Sequence, residues 1–149
     1  MIRRILVPLD GSKMAETILP HVEYLARLTN AELTLLCIAV PLQIYTDHVV
    51  TYPVDERAQL EEAREYVADV AASLRDRGLR AEAVARYGNA ADEIVNFAQE
   101  AGADLIAMST HGRSGLGRWV FGSVAEKVLR ASSKPILLLK PDGSTENRY

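Results

Sequence analysis

Residues 109–123, with the sequence STHGRSGLGRWVFGS, form a glycine-rich stretch between an apolar segment and an amphipathic one. Four glycines fall within eleven residues, from Gly112 to Gly122, and let the backbone approach a ligand closely. The helix predicted to begin near Gly122 offers unpaired N–H groups and the positive end of its dipole. Between Ser109 and Arg130 four basic residues oppose one acidic residue, a local charge of +3 in a chain of net charge -3. We therefore expect this stretch to bind an anion.

The segments around this stretch alternate between two hydrophobic patterns. Short apolar runs, typical of buried strands, alternate with runs whose apolar residues recur at helical spacing. The predicted strands cover residues 2–8, 33–40, 80–86, 104–108 and 135–140. Two predicted helices cover residues 14–29 and 54–77. A third follows the Gly88-Asn89 turn, and a fourth begins near residue 122. Polar and small residues alternate over 80–86, which favours an edge strand.

This alternation predicts the architecture. Strands separated by helices run parallel and are joined by right-handed crossovers, which gives a doubly wound, three-layer α/β/α domain with a five-stranded parallel sheet. Ligands of such domains bind beyond the carboxyl ends of the strands, where the strand order reverses. Segments 8–10, 38–40 and 108–123 follow strands one, two and four, so they are expected to meet there. Together they predict a nucleotide pocket.

The composition is that of an ordinary globular domain, with 149 residues, 48% hydrophobic and 25% charged. We expect one domain over residues 1–141 and a loose tail over 142–149. A net charge of -3 without a long basic run argues against nucleic acid as the main partner. No segment approaches the ~20 apolar residues of a membrane span, so a cytoplasmic location without a membrane partner is expected. The single cysteine, Cys37, excludes an internal disulfide and is expected to be buried.

Other phosphate-binding motifs do not fit this chain. A Walker A loop requires a lysine after its last glycine, where this chain has Ser123. The Rossmann fingerprint and the flavodoxin loop both follow the first strand, and residues 10–12 supply neither. A receiver domain would have an aspartate after its third strand, whereas residues 86–88 contain none.

Two short motifs, VPLDGS at residues 7–12 and MSTHG at residues 108–112, flank the predicted pocket. Together with Gly122 and Ser123 they resemble the universal stress proteins of the ATP-binding type, whose nucleotide motif is G-x2-G-x9-G-[ST]. Gly112 matches the second glycine of that motif, whereas Ser109 stands in place of the first. The resemblance covers essentially the whole chain. It implies an adenine nucleotide alpha hydrolase-like fold with strand order 3-2-1-4-5.

The resemblance also implies roles for individual residues. Pro8 and Asp10 would flank adenine and ribose, Ile38 would hold the adenine, and Met108 would pack nearby. Backbone N–H groups and the Ser123 hydroxyl would bind the phosphates of ATP or AMP, with Mg²⁺ or Mn²⁺ neutralising a triphosphate. The candidate nucleotide-binding residues are Pro8, Leu9, Asp10, Ile38, Met108, Ser109, Gly112, Arg113, Gly122, Ser123 and Val124.

Alternative interpretations stay open at this point. Asp10 and Ser12 could simply cap the first helix, and the glycines could serve a long turn. No catalytic constellation or metal-binding signature stands out, so the first hypothesis is a regulatory stress-response protein that binds an adenine nucleotide and meets an unknown protein partner. The second is a slow ATPase or autophosphorylating enzyme, with Ser123 or Ser109 as acceptor. The third is a nucleotide-free interaction module.

The last predicted strand carries a run of four bulky aliphatic residues: Ile136, Leu137, Leu138 and Leu139. An unguarded apolar strand at a sheet edge can pair with a second copy. We therefore expect a homodimer through this edge, which the resemblance also implies. The long segment 41–53 has no clear period, and whether it closes over the ligand stays open.

Overall fold

The computed structural model describes residues 1–41, 55–110 and 122–141, and these form a parallel sheet with helices on both faces. Gly112 and Arg113, two of the predicted binding residues, lie outside the described residues. The same holds for the long segment 41–53, apart from residue 41, and for the predicted tail 142–149. Across the described ranges the sheet has five strands in the order β3-β2-β1-β4-β5. The fold and the strand order predicted above are confirmed. The strands are β1 (Arg4–Leu9), β2 (Glu32–Ala39), β3 (Ala81–Tyr87), β4 (Leu105–Ser109) and β5 (Ile136–Leu139).

Two apolar cores lie on opposite faces of the sheet because successive strand side chains point in opposite directions. The larger core joins Ile5 and Val7 of β1 to the two helices that follow β1 and to the helix that follows β2. The smaller core joins Leu6 to the helices that follow β3 and β4. The helices are α1 (Lys13–Glu16), α2 (Leu19–Thr29), α3 (Glu56–Asp76), α4 (Ala90–Glu100) and α5 (Ser123–Ala131). None of the described helices is long and apolar enough to cross a membrane.

The prediction of one helix over residues 14–29 was wrong. The chain makes α1, turns at Thr17 and Ile18, and starts α2 with Pro20 in its first turn. Proline has no N–H to donate, and its ring would collide with the carbonyl of the residue four positions earlier, Glu16. The helix therefore has to restart. Thr17 closes the turn, with its backbone N–H donating to Met14 O at 3.2 Å and its hydroxyl at 2.6 Å.

The strand order reverses between β1 and β4. These two strands are parallel neighbours, with Ile5 opposite Leu105 and Leu6 opposite Ile106. The chain proceeds from β1 toward one edge through β2 and β3, then crosses back to β4 on the other side of β1. The loops after β1 and β4 thus separate at the carboxyl edge and leave a crevice between them, which is where ligands bind in this class of fold.

Candidate functional site

A cavity of about 270 Å³ lies at this crevice, above the carboxyl ends of β1, β2 and β4. Its described wall includes fifteen residues, of which eleven are apolar. The apolar part comes mainly from the α4 and α5 side of the sheet, where Leu36, Ile38 and Met108 lie beside Ile94. An apolar wall with a few polar groups at one end is the usual build of a small-molecule site.

The structure brings nine of the eleven predicted binding residues to this one cavity. All nine that are described line its wall, from Pro8, Leu9 and Asp10 after β1 to Gly122, Ser123 and Val124 at the start of α5. Gly112 and Arg113 are the remaining two, and they lie outside the described residues. The nine described residues converge on one cavity, whereas nucleotide binding by them stays a prediction.

Five residues of the wall were missed by the sequence analysis, whereas Val40 belongs to the predicted segment 38–40. The five are Ala15, Leu36, Ala90, Ile94 and Ala125. The first two turns of α4 contribute Ala90 and Ile94, because the loop after β3 ends at the same edge of the sheet. The signal was present in the chain order: every helix of a doubly wound domain begins near the carboxyl ends of the strands, so each first turn is a candidate wall.

The start of α5 differs from the starts of the other helices that begin after a strand. Ser12 caps α1, Asp55 caps α3 and Asn89 caps α4, each accepting a hydrogen bond from a first-turn backbone N–H. The N-cap of α5 is Gly122, and no described side chain caps it. Gly122, Ser123 and Val124 line the cavity, so the first N–H groups of α5 lie beside it at the positive end of the helix dipole, without an acceptor from a described side chain.

The turn after β1 is held by its own hydrogen bonds. Asp10 Oδ1 accepts from the Ser12 backbone N–H at 2.9 Å, and Ser12 Oγ accepts from the Ala15 N–H at 3.1 Å. Gly11 between them has φ +84°, a conformation that side chains disfavour. The capping alternative for Ser12 is confirmed. Asp10 is exposed in the cavity wall, so its carboxylate adds negative charge and acceptor capacity there.

The end of β4 is anchored from both sides. The backbone N–H of Thr110 donates to Leu139 O at 2.8 Å, which ties the exit of β4 to β5. On the other side, Ser109 Oγ lies 2.9 Å from Thr17 Oγ1 in the α1–α2 turn. The point where the glycine-rich stretch leaves the sheet is thus held to two other parts of the fold.

A second cavity of about 350 Å³ lies beside the first, on the α3 side of the β2 end. Cys37 lines it and is buried, as predicted. Burial, with the negative charges of Asp10 and Glu62, raises the pKa of Cys37 to about 11. The Tyr66 hydroxyl donates to Glu16 Oε1 at 3.0 Å, and burial with this bond raises the pKa of Tyr66. Both groups are therefore neutral at physiological pH, and the thiol is a weak nucleophile there.

The model of the universal stress protein family matches residues 1–140 of this chain. The chain belongs to the universal stress protein family. Among its curated relatives, the universal stress protein MJ0577 of Methanocaldococcus jannaschii is 30% identical, over 97% of this chain and 98% of the relative. The solved structure of MJ0577 covers 97% of this chain and 99% of its own, with a TM-score of 0.75 and 29% identity.

Two further family structures hold nucleotides. A universal stress protein from Archaeoglobus fulgidus in complex with dAMP is 24% identical, with a TM-score of 0.68, and covers 93% of this chain and 98% of its own. A universal stress protein in complex with cAMP is 22% identical, with a TM-score of 0.63, and covers 95% of this chain and 98% of its own. At these identities the likeness establishes a shared fold.

Proposed function

We propose that this universal stress protein binds an adenine nucleotide, ATP or AMP, in the cavity at the β1–β4 crevice and acts as a regulatory protein. One observation carries the proposal: the uncapped start of α5 opens into an apolar cavity at the strand-order reversal. A phosphate is the acceptor that such a helix start favours, and a flat base suits the apolar wall. The dAMP and cAMP complexes of family members support the same ligand class.

The shape of the cavity suggests how the ligand lies. A volume of about 270 Å³ is at the small end of ligand sites, so base and sugar would fill it while the phosphates stay at its mouth. The adenine would pack between Ile38 and Met108. The phosphates would accept hydrogen bonds from the N–H groups and hydroxyl at Gly122 and Ser123.

A divalent cation would be carried by the phosphates rather than by the protein alone. Within the described ranges no group of three or more His, Cys, Asp or Glu side chains is placed to hold a metal ion. The oxygens present, the Asp10 carboxylate and the Ser123 hydroxyl, are of the kind that Mg²⁺ and Mn²⁺ accept. They would complete the coordination of a cation bound to a triphosphate.

We also propose that two copies pair through β5. This strand is at the edge of the described sheet, and each of its four residues is only half-buried. Its aliphatic side chains would be covered by the same strand of a second copy, in a two-fold arrangement. The nucleotide-bound form that contacts a protein partner would then be a dimer.

The test is to denature freshly purified protein, separate any released nucleotide by chromatography, and titrate the ligand-free protein calorimetrically with AMP and with ATP plus Mg²⁺. We expect a bound or titratable adenine nucleotide in the parent and none in Gly122→Val, whose new side chain would fill the mouth. Ala131→Val adds the same kind of bulk at the exposed far end of α5 and serves as the matched control. Time-dependent ADP in the ATP sample, absent in Ser123→Ala, would favour the enzyme hypothesis. An absence of released nucleotide and of binding heat in the parent would refute the proposal.

A further inference from the structure

The hydroxyls of Thr17 and Ser109 form a pair 2.9 Å apart, between residues 92 positions apart in the chain. Both side chains are half-buried, so the pair is partly shielded from competing water. Ser109 also lies in the wall of the nucleotide cavity, next to Met108. The direction of this hydrogen bond therefore decides what Ser109 can offer to a ligand.

Counting hydrogens assigns the direction. Thr17 has one hydroxyl hydrogen, and its Oγ1 lies 2.6 Å from the carbonyl oxygen of Met14, which can only accept. The Thr17 hydrogen must therefore point to Met14, and Thr17 accepts from Ser109. The single hydrogen of Ser109 is thereby used within the protein. Its oxygen retains lone pairs alone, so Ser109 can accept a hydrogen bond from a ligand but cannot donate one.

An acceptor at this position excludes some parts of a nucleotide and suits others. Phosphate oxygens are acceptors and carry negative charge, so they would be repelled by the lone pairs of Ser109. The donors of an adenine nucleotide are its sugar hydroxyls and its exocyclic amine. Ser109 follows Met108, in the apolar wall that suits the base, and precedes the stretch leading to α5, which suits the phosphates. The sugar is the part of the ligand that falls between them.

We propose that Ser109 is a specificity-determining residue that accepts a hydrogen bond from a sugar hydroxyl, and that Thr17 is a positioning residue that keeps its oxygen an acceptor. The inference rests on the proposed nucleotide binding and adds a preference for ribonucleotides. Asp10 strengthens it, because this second acceptor follows β1, the strand paired with β4. Two acceptors in the wall of one cavity match the two adjacent hydroxyls of ribose.

The test is a calorimetric comparison of AMP with 2′-deoxy-AMP, 3′-deoxy-AMP and IMP. For the parent we expect AMP to bind more tightly than at least one deoxy analogue. In Ser109→Ala that preference falls by about threefold to tenfold, the value of one neutral hydrogen bond. In Thr17→Val it also falls, since the Ser109 hydroxyl loses the acceptor that orients it and is no longer held with its lone pairs toward the ligand. Thr110→Val, which removes the hydroxyl of the residue just after β4, is the matched control and leaves the preference unchanged.

The ratio of affinities separates specificity from folding, because a merely weakened structure lowers binding of all four ligands alike. If the parent binds AMP and neither variant changes its preference for AMP over the deoxy analogues, the role of Ser109 is overturned and the proposed function stays intact. A changed AMP-to-IMP ratio in Ser109→Ala would place the base amine there and overturn the sugar contact. A parent that binds none of the four ligands overturns both proposals.

Discussion

Replacing Ser123 by proline gives the sharpest test of the phosphate site at the start of α5. Ser123 is the first residue of the helix, a position that tolerates proline because its N–H has no partner within the helix. The residue before it, Gly122, has φ -57° and ψ 152°, the extended conformation that a residue preceding proline adopts. Ser123 is also exposed, so the substitution removes nothing from the core. The variant deletes two donors, the N–H and the hydroxyl, and keeps the helix.

The expected loss of affinity follows from those two donors. A hydrogen bond to a charged group contributes about 1.5–3 kcal/mol, which corresponds to roughly 10- to 150-fold in Kd. Ser123→Ala deletes the hydroxyl and should weaken AMP binding by about that factor. Ser123→Pro deletes the N–H as well and should weaken it by at least a further tenfold or so. The difference between the two variants isolates the backbone contribution.

Isothermal titration with AMP measures the affinities, and thermal melting in the absence of ligand checks the fold. We expect the melting temperatures of both variants to stay within about 2 °C of the parent, as is usual for exposed positions. Ser132→Ala is the matched control, since Ser132 caps the opposite end of α5 and its Oγ accepts from the Lys134 N–H at 3.0 Å. If Ser123→Pro melts like the parent and binds AMP with the parent's Kd, no phosphate lies at the start of α5.

The packing of the described residues leads to three other expected results. Gly122→Asp supplies α5 with the side-chain cap that it lacks, so it should raise the melting temperature of the ligand-free protein by about 1–4 °C and abolish AMP binding; unchanged binding would argue against the site. Cys37, whose pKa is about 11 against an ordinary 9.0, should react with iodoacetamide at pH 8 at least about 100-fold more slowly in the folded than in the urea-unfolded protein. Equal labelling rates in the two states would contradict the raised pKa of Cys37. The neutral buried thiol stabilises the fold fully below pH 9.0, and this contribution is lost as the pH rises through 11. Leu138→Lys should convert a dimer into a monomer in sedimentation velocity, and a variant that remains dimeric would exclude the β5 interface.

Much of the fold was predictable because buried parallel strands have a strong local pattern. The apolar run over residues 33–40 predicted a buried strand, and β2 lies inside the sheet. The alternating pattern over residues 80–86 predicted an edge, and β3 lies at one. Periodicity does not specify which strands lie next to each other, so the strand order could not be predicted from it. That order came from the family resemblance and was confirmed.

One error was local: the helical period continues smoothly through Pro20, although the missing N–H and the ring of that residue divide α1 from α2. The omissions arose where residues distant in sequence decide the outcome. The bond between Thr17 and Ser109 joins residues 92 positions apart, so no local pattern contains it. The contribution of α4 to the cavity likewise depends on which helix starts meet at the edge of the sheet.

The distribution of helix caps links the stability of this fold to its proposed function. Three helices that begin after a strand, α1, α3 and α4, satisfy their first N–H groups with their own side chains, and each cap of this type stabilises a helix by about 1 kcal/mol. In the described residues α5 lacks such a cap, and it is the helix whose start lies at the strand-order reversal. A serine or aspartate at position 122 would stabilise the helix and would occupy the space a phosphate needs. Glycine there leaves the donors to the ligand, so the free energy that a side-chain cap would have contributed to folding is contributed to binding instead.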